Sequence, residues 1–528
     1  MGAFALFCFN ASAHIPSCAI TRETLGMINH AINFILISLL IFTPIAFASM
    51  DFWAFSLMEL AILFMIILWV IQCGLVALKR RFLTSDIKTP NCELPTANSQ
   101  LRLPGLILLA LFLCLIIFQM IPLPSGVVKI LSPKNDELRH FLVTGSPAPS
   151  SLLVPGSSSR PSALGLDSSS QPSSGTFFLS FVPFATQVEF FKWLTLIGFF
   201  LFLQVWSFPE TRGRTLNRLI LVIFLVGVFE SLYGMFESFS GHHQALNIKL
   251  DDSSVAGTFI SRNYFAGYLL MVIPLSIGYL LSRKENQILR FKGWRHWLTS
   301  LHGKSLLVGF GVVVMILSLL FSASRMGIAS LLFSCGLISL LLRSLRGGKK
   351  VSRIPVLILV LALLWAVWIG LDAVISRFFT SSDDFKSRWE IWVDTVRMVK
   401  DFPLFGSGLG TFALVFPMYR SFHITGVTNH AENDFLQLTS DVGLVGIGLL
   451  LILFIAFFYK AVEGIRSLSE GDPKRYVGIG GLVGIIALML HSLVEANVQI
   501  PANAFLFTFI FAVVLRLPDV TRSSNHRL

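Results

Sequence analysis

The sequence predicts an all-α polytopic membrane protein with about twelve transmembrane helices and a large loop between late spans. Three observations lead there. Hydrophobic residues fill 54% of the 528 positions and charged residues only 13%, about half the charged share of an ordinary soluble domain. Uninterrupted apolar runs of roughly 20 residues recur along the chain, each long enough to cross the hydrocarbon layer as a helix. The runs do not alternate in polarity, so they are not barrel strands, and a helix satisfies its own backbone in lipid.

Apolar runs bounded by Pro, Gly and charge place spans near 31–50, 56–78, 104–124, 186–207, 216–239, 263–282, 304–323, 327–343, 354–372, 438–459, 477–495 and 501–516. Residues 1–26 are weakly hydrophobic and interrupted by polar groups, which makes a poor signal peptide. A start at Met27 would leave a conventional first span, so 1–26 reads as a leader or as an over-extended start. The chain then divides into 27–124 (three spans), the outer loop 125–185, spans four to nine within 186–372, a second outer loop 373–437, the last three spans within 438–516, and a cytoplasmic tail 517–528.

The net charge of +12 is mostly topology rather than a footprint for nucleic acid. With both termini inside, 27 of the 41 Lys and Arg residues fall on the cytoplasmic side, and short loops such as "RSLRGGKKVSR" carry the strongest excess. The partner implied is the lipid bilayer, and no nucleic acid is expected. The six cysteines are scattered, Cys73, Cys114 and Cys335 within apolar runs, with no CxxC or Cys/His spacing, so neither a zinc site nor a disulfide framework is read. No cofactor is expected.

The first outer loop holds "SPAPSSLLVPGSSSRPSALGLDSSSQPSSG", the composition of an irregular linker. The second mixes Trp, Arg, Asp and Gly as a folded cap does. Within it Trp389, Trp392, Val396 and Val399 fall at helical spacing, which predicts an amphipathic helix ended by Asp401 and Pro403, with the apolar stripe suited to a bilayer surface. "GSGLG" (406–410) superficially resembles a nucleotide loop, but no strand precedes it; it reads as a tight backbone turn.

Three arginines are candidates for anion binding. Arg325 in "FSASRMGIAS" stands between two apolar runs with hardly any loop, where a guanidinium needs a partner. Arg262 in "GTFISRNYFAGYL" precedes a span whose first turn offers free N–H groups. Arg388 opens the amphipathic helix together with Arg397, which reads as an interfacial arginine. Arginine forks match phosphate oxygens and keep their charge, so a convergent set suits a pyrophosphate.

The window "NHAENDFLQ" (429–437) gathers His430, Glu432, Asn433 and Asp434. His430 or Glu432 is suited to take a proton from a sugar hydroxyl. The plainer reading is a helix cap, with Asn433 or Asp434 at the start of "FLQLTSDVGLVG".

"GTFISRNYFAGYL", "SASRMGIASLL", "SRWEIWVDTVRMVKDFPLFGSGLGTF", "HAENDFLQLTSDVGLVGIGLLL" and "HSLVEANVQIPANAFLF" occur in that order. In this order and spacing, across roughly residues 255–515, the chain resembles the O-antigen ligase and O-antigen polymerase family of bacterial membrane glycosyltransferases. The first three spans look similar to the amino-terminal part of such proteins. The resemblance implies an inner-membrane enzyme of lipopolysaccharide or exopolysaccharide biosynthesis with its active site in a large periplasmic loop. The implied donor is a glycan on undecaprenyl pyrophosphate. The implied acceptor is a sugar hydroxyl on lipid A core or on another lipid-linked repeat, and the implied transfer is inverting and metal-independent. Arg325 and Arg388, with Arg262 as a third, match the arginines that hold the pyrophosphate. The family places a histidine at a fixed distance before Gly-x-x-Gly, here Gly443 to Gly446. That distance lands on Glu432, with His430 two residues earlier. The base is thus Glu432 with His430 assisting, or the acceptor differs.

Two other classes compete. A twelve-span transporter or lipid-glycan flippase usually shows two related halves with mid-membrane binding residues; here the halves look unlike each other and polarity gathers in one outer loop. A structural scaffold explains neither the arginines nor the polar window.

Overall fold

A computed structural model describes residues 17–82, 103–135, 137–138, 176–206, 214–241, 244–245, 248–249, 254–283, 303–344, 352–369, 382–422, 428–469 and 472–525. The expected leader up to residue 16, and 139–175 with the Ser/Pro-rich run, lie outside them.

The architecture is all-α. Among the described residues twelve apolar helices run in order as α1 (Ser17–Ile45), α2 (Phe52–Phe82), α3 (Leu103–Met120), α4 (Pro183–Val205), α5 (Arg214–Ser240), α6 (Arg262–Ser282), α7 (Gly303–Phe321), α8 (Arg325–Arg343), α9 (Ile354–Ile369), then, after the amphipathic α10 (Ser382–Asp401), α11 (Asp434–Ser467), α12 (Pro473–His491) and α13 (Pro501–Asn525). Ten of these are long and apolar enough to cross a membrane, and α3 and α9 are shorter apolar helices. Each expected apolar run corresponds to one of the twelve. The described strands are two-residue pairings, Leu123–Pro124 with Thr176–Phe177 and Gln244–Ala245 with Ile248–Lys249.

The centre of the bundle is α6, buried at every residue from Phe265 to Leu281. Its closest partner is α12, because glycines remove the side chains between them. A Cβ on Gly480 would lie 2.4 Å from the Pro274 carbonyl oxygen, and one on Gly484 2.9 Å from that of Met271. Backbone packing of this kind is what holds helices together where lipid is as apolar as the side chains. It also brings the start of α6, with Arg262, beside the end of α12.

The amphipathic helix forms over Ser382–Asp401 and presents two distinct faces. Trp389 (55% exposed) and Val396 (41%) face outward, while Ile391, Asp394, Thr395 and Met398 are buried. The inward stripe serves a small separate core with Phe181, Phe402, Phe412, Phe416, Tyr419 and Ala431. Two polar residues belong to that inward face for local reasons. Asp394 accepts from the Ser421 N–H at 2.7 Å and from Arg397 at 2.7 Å, so Arg397 is held by its own helix. Tyr419 donates to Asp401 at 2.8 Å, and burial, Asp401 and that hydrogen bond raise its proton affinity.

The glycine loop is indeed a backbone turn, and it locks onto a break in α11. Gly443 (φ 66°, ψ −174°) interrupts that helix. The donors freed there are taken by the preceding loop, Leu444 N–H to Pro403 O at 2.8 Å and Val445 N–H to Leu404 O at 3.1 Å. In return Ser407 and Gly408 donate to the carbonyls of Ser440 and Asp441 at 2.9 and 3.0 Å. Gln119 of α3 completes the clip, donating to Phe405 O at 2.6 Å and Asp441 O at 3.0 Å and accepting from Leu409 N–H at 3.1 Å. The freed backbone groups must find partners, since none is available in hydrocarbon.

Candidate functional site

The site is built where α6, α8, α10, α11 and the turn between α12 and α13 meet, on the face that positive-inside counting assigns to the outside. Asn433 caps α11, its side chain accepting from Leu436 N–H at 3.0 Å. This cap starts a helix at Asp434, whose buried carboxylate accepts from the N–H groups of Asn497 (2.9 Å) and Val498 (2.8 Å), while its own N–H donates to Ser492 O at 3.0 Å. Asp434 thus fastens the polar window to the 492–500 turn.

That turn carries Glu495, 3% exposed. It forms an ion pair with Arg388, whose second nitrogen donates to Val494 O at 2.8 Å. Glu432 also reaches Glu495, side chain to side chain. Burial raises the proton affinity of Glu495; Arg388 opposes this and the negative charge of Glu432 adds to it. Helix α10 holds Glu432 from behind, since Trp392 Nε1 donates to Ala431 O at 3.0 Å and to Glu432 O at 3.3 Å. Glu432 has φ 51°, a left-handed conformation that costs a non-glycine residue energy and persists only where its surroundings enforce it.

Of the expected residues, Arg388, Glu432 and Asp434 converge on the 492–500 turn, the first two on Glu495 and the third on the N–H groups of Asn497 and Val498. Arg262 and Arg325 begin α6 and α8 on the same face. Tyr264, one turn into α6, lies within electrostatic reach of Glu432, Glu495, Asp434 and Arg388, and the Asn503 side chain donates to its carbonyl at 3.1 Å. Ser324, just before Arg325, contacts Nε2 of the buried His491 at 3.4 Å, and Asn497 contacts Nδ1 of the same ring at 3.2 Å. Ala323, another positive-φ residue (50°), forms the turn before Arg325.

His430 neighbours both Glu432 and the α4 side of the window. Its electrostatic neighbours besides Glu432 are Lys192 and Glu189, and it bonds to Gln437. Burial lowers its proton affinity, partly offset by Glu432. Lys192 and Glu189 form an ion pair within α4, and Asp441 receives Gly410 N–H at 3.0 Å nearby. Among the described residues no group of three or more His, Cys, Asp or Glu is placed to hold a metal ion.

Sequence reasoning missed Glu495, His491 and Asn497. Their signal was present in "HSLVEANVQ", a polar stretch closing one apolar run and preceding another, but a span was drawn through it to residue 495. The helix ends at His491.

These features define a multi-pass, all-α membrane protein with a polar site assembled from helix ends and a folded loop. The family model described as O-antigen ligase matches residues 310–451, from α7 through the outer cap into α11. That match supports membership of the O-antigen ligase and polymerase family, membrane proteins of glycosyltransferase type acting on lipid-linked glycans. The matched segment contains Arg325, Arg388, His430 and Glu432; Arg262 and Glu495 lie outside it. No curated protein matches the chain.

Proposed function

We propose that this protein transfers a glycan from undecaprenyl pyrophosphate to a sugar hydroxyl, on lipid A core or on another lipid-linked repeat, at the periplasmic face of the bacterial inner membrane. The observation that carries this reading is the junction at Glu495, which is paired with Arg388 and reaches Glu432, on the face where the helices that start at Arg262 and Arg325 begin. The three arginines hold the diphosphate and stabilise the charge that builds on it as it leaves, the electrostatic effect that is commonly the largest in catalysis. Glu432 or His430 takes the proton of the acceptor hydroxyl, and attack opposite the leaving group inverts the anomeric centre without a metal. Asn433 and Asp434 support the window by capping α11 and fastening the 492–500 turn. The transporter or flippase reading draws no support from the family match.

The test is Arg325→Ala and Arg388→Ala in cells. Each is expected to abolish glycan transfer while the protein still inserts; wild-type transfer by both variants would refute the reading. The glycan profile of a deletion strain then separates the acceptors. Loss of all long chains from lipid A core marks a ligase, single repeats left on core mark a polymerase, and loss of an exopolysaccharide marks a related polymer system.

A further inference from the structure

We infer that Glu432 and Glu495 work as a carboxylate pair holding one proton between them, with Glu432 accepting the hydroxyl proton and Glu495 positioning both Glu432 and Arg388. This rests on the transfer reaction proposed above and decides between its two candidate bases.

Glu495 is the point where three segments join. It is buried in the 492–500 turn, ion-paired to Arg388 of α10, and in contact with the Glu432 carboxyl of the polar window. Two carboxylates in direct contact repel each other when both are ionised, and one shared proton turns the contact into a hydrogen bond. The surroundings favour that single-proton state. Burial and Glu432 raise the proton affinity of Glu495, while Arg388 keeps one negative charge on the pair. The other ionisable groups facing the pair are Asp434 at the start of α11, Tyr264 of α6 and, beside Arg388, the buried His491 of α12. His430 neighbours Glu432, Lys192 and Glu189, whereas Glu495 is ion-paired to Arg388 and reaches the Glu432 carboxyl, so it is the carboxylate that is tied to the arginine.

In the reaction the acceptor O–H bond breaks and its proton goes to the ionised oxygen of the pair. The oxygen's electron pair bonds to the anomeric carbon, and the bond from that carbon to the diphosphate breaks, its electrons leaving with the diphosphate beside Arg388. The pair, now carrying two protons, returns one to water before the next turnover.

The experiment compares wild type, Glu495→Gln, Glu495→Asp, Glu432→Gln and His430→Gln in lipid nanodiscs. Infrared difference spectra at neutral pH read the C=O stretch of a protonated carboxyl, and glycan transfer is followed against pH. A protonated-carboxyl band present in wild type is expected to vanish in Glu495→Gln and in Glu432→Gln, each of which leaves one carboxylate next to Arg388. Transfer should be bell-shaped in wild type, because the pair must lose its first proton to act and keep its second to avoid a double negative charge. Glu495→Gln should keep the acidic limb and lose the alkaline one, and Glu495→Asp should restore part of it. Glu432→Gln should lose transfer by about 100-fold or more, and His430→Gln by far less. An unchanged band in both Gln variants, or an alkaline limb that survives in Glu495→Gln, overturns the pair. If Glu495→Gln fails to insert, Glu432→Gln alone decides the band. A band that behaves as expected in a wild-type protein that transfers no glycan would leave the pair standing and defeat the proposed function instead.

Discussion

The clip at 403–411 and the cluster around Arg388 are both rich in polar groups, yet they use them in opposite ways. In the clip, the hydrogen bonds answer backbone groups. Gly443 breaks α11, the carbonyls of Pro403 and Leu404 take the freed N–H groups, and Gln119 and Asp441 satisfy what remains. In the cluster, side chains meet side chains: Arg388 with Glu495, and Glu495 with a second carboxyl from Glu432. Folding explains the first region completely, because unpaired backbone in a membrane is costly. It does not explain the second, where two carboxyl groups are brought together in a buried turn and a left-handed Glu432 works against stability. The comparison teaches where to look for chemistry in a chain full of polar loops: among groups that no backbone needs.

The largest effect should come from the clip. A Cβ on Gly443 would stand 2.2 Å from the Leu404 carbonyl oxygen at a φ of +66°. Gly443→Ala is therefore expected to forfeit about 1–3 kcal/mol in backbone strain alone and to push the clip off α11 as well. The amount of protein in the membrane and its thermal unfolding in detergent should both fall sharply. Arg388→Lys should do the reverse. It keeps a positive charge near Glu495 but loses the fork that suits a diphosphate, so folded protein should stay near wild type while transfer drops by about 100-fold. If Arg388→Lys destabilises as much as Gly443→Ala, the contrast between the two regions is false.

Asp434 lies on the border and should give an intermediate result. Its carboxylate receives two N–H groups of the 492–500 turn, and hydrogen bonds to a charged group contribute about 1.5–3 kcal/mol each at most. Asp434→Asn retains one acceptor oxygen and loses the charge. A moderate fall in unfolding temperature is expected, with a loss of transfer smaller than that of Arg388→Lys, because the turn carrying Glu495 shifts rather than detaches. Unchanged transfer with reduced stability would move Asp434 to the structural side of the comparison.

How much of this was legible in the sequence follows the same division. The apolar helices were readable because lipid imposes length and hydrophobicity on each segment separately, and the glycine turn was readable because φ > 0 needs glycine. Arg325, Arg388 and Glu432 were readable as charges with no local reason to be where they are. Glu495 was not, because its meaning depends on Arg388, 107 positions earlier in the chain, and a run such as "HSLVEANVQ" reads as the ragged end of a span until its partner is in place. The inward face of α10 was not legible for a related reason. Asp394 and Thr395 belong to it, and only the Ser421 contact makes a buried aspartate acceptable there.

The smallest effect concerns His430 and is read in the pH dependence of stability. Burial holds its proton affinity below the ordinary histidine value of 6.5. Between the depressed native value and that ordinary value the unfolded chain binds more protons than the folded one, so this group makes stability rise with pH across the window and fall as pH drops below about 6.5. Wild type should therefore lose unfolding temperature between pH 7 and about pH 5.5, and His430→Gln, which cannot take up the proton, should lose less. Glu495 contributes the opposite slope, since its native proton affinity is raised: its share of stability is present at low pH and declines as pH rises. The two slopes can be separated by comparing His430→Gln with Glu495→Gln over the same range. Equal acid sensitivity in wild type and His430→Gln would mean that the imidazole binds its proton as readily in the folded protein as in the unfolded chain, and that burial does not hold it neutral.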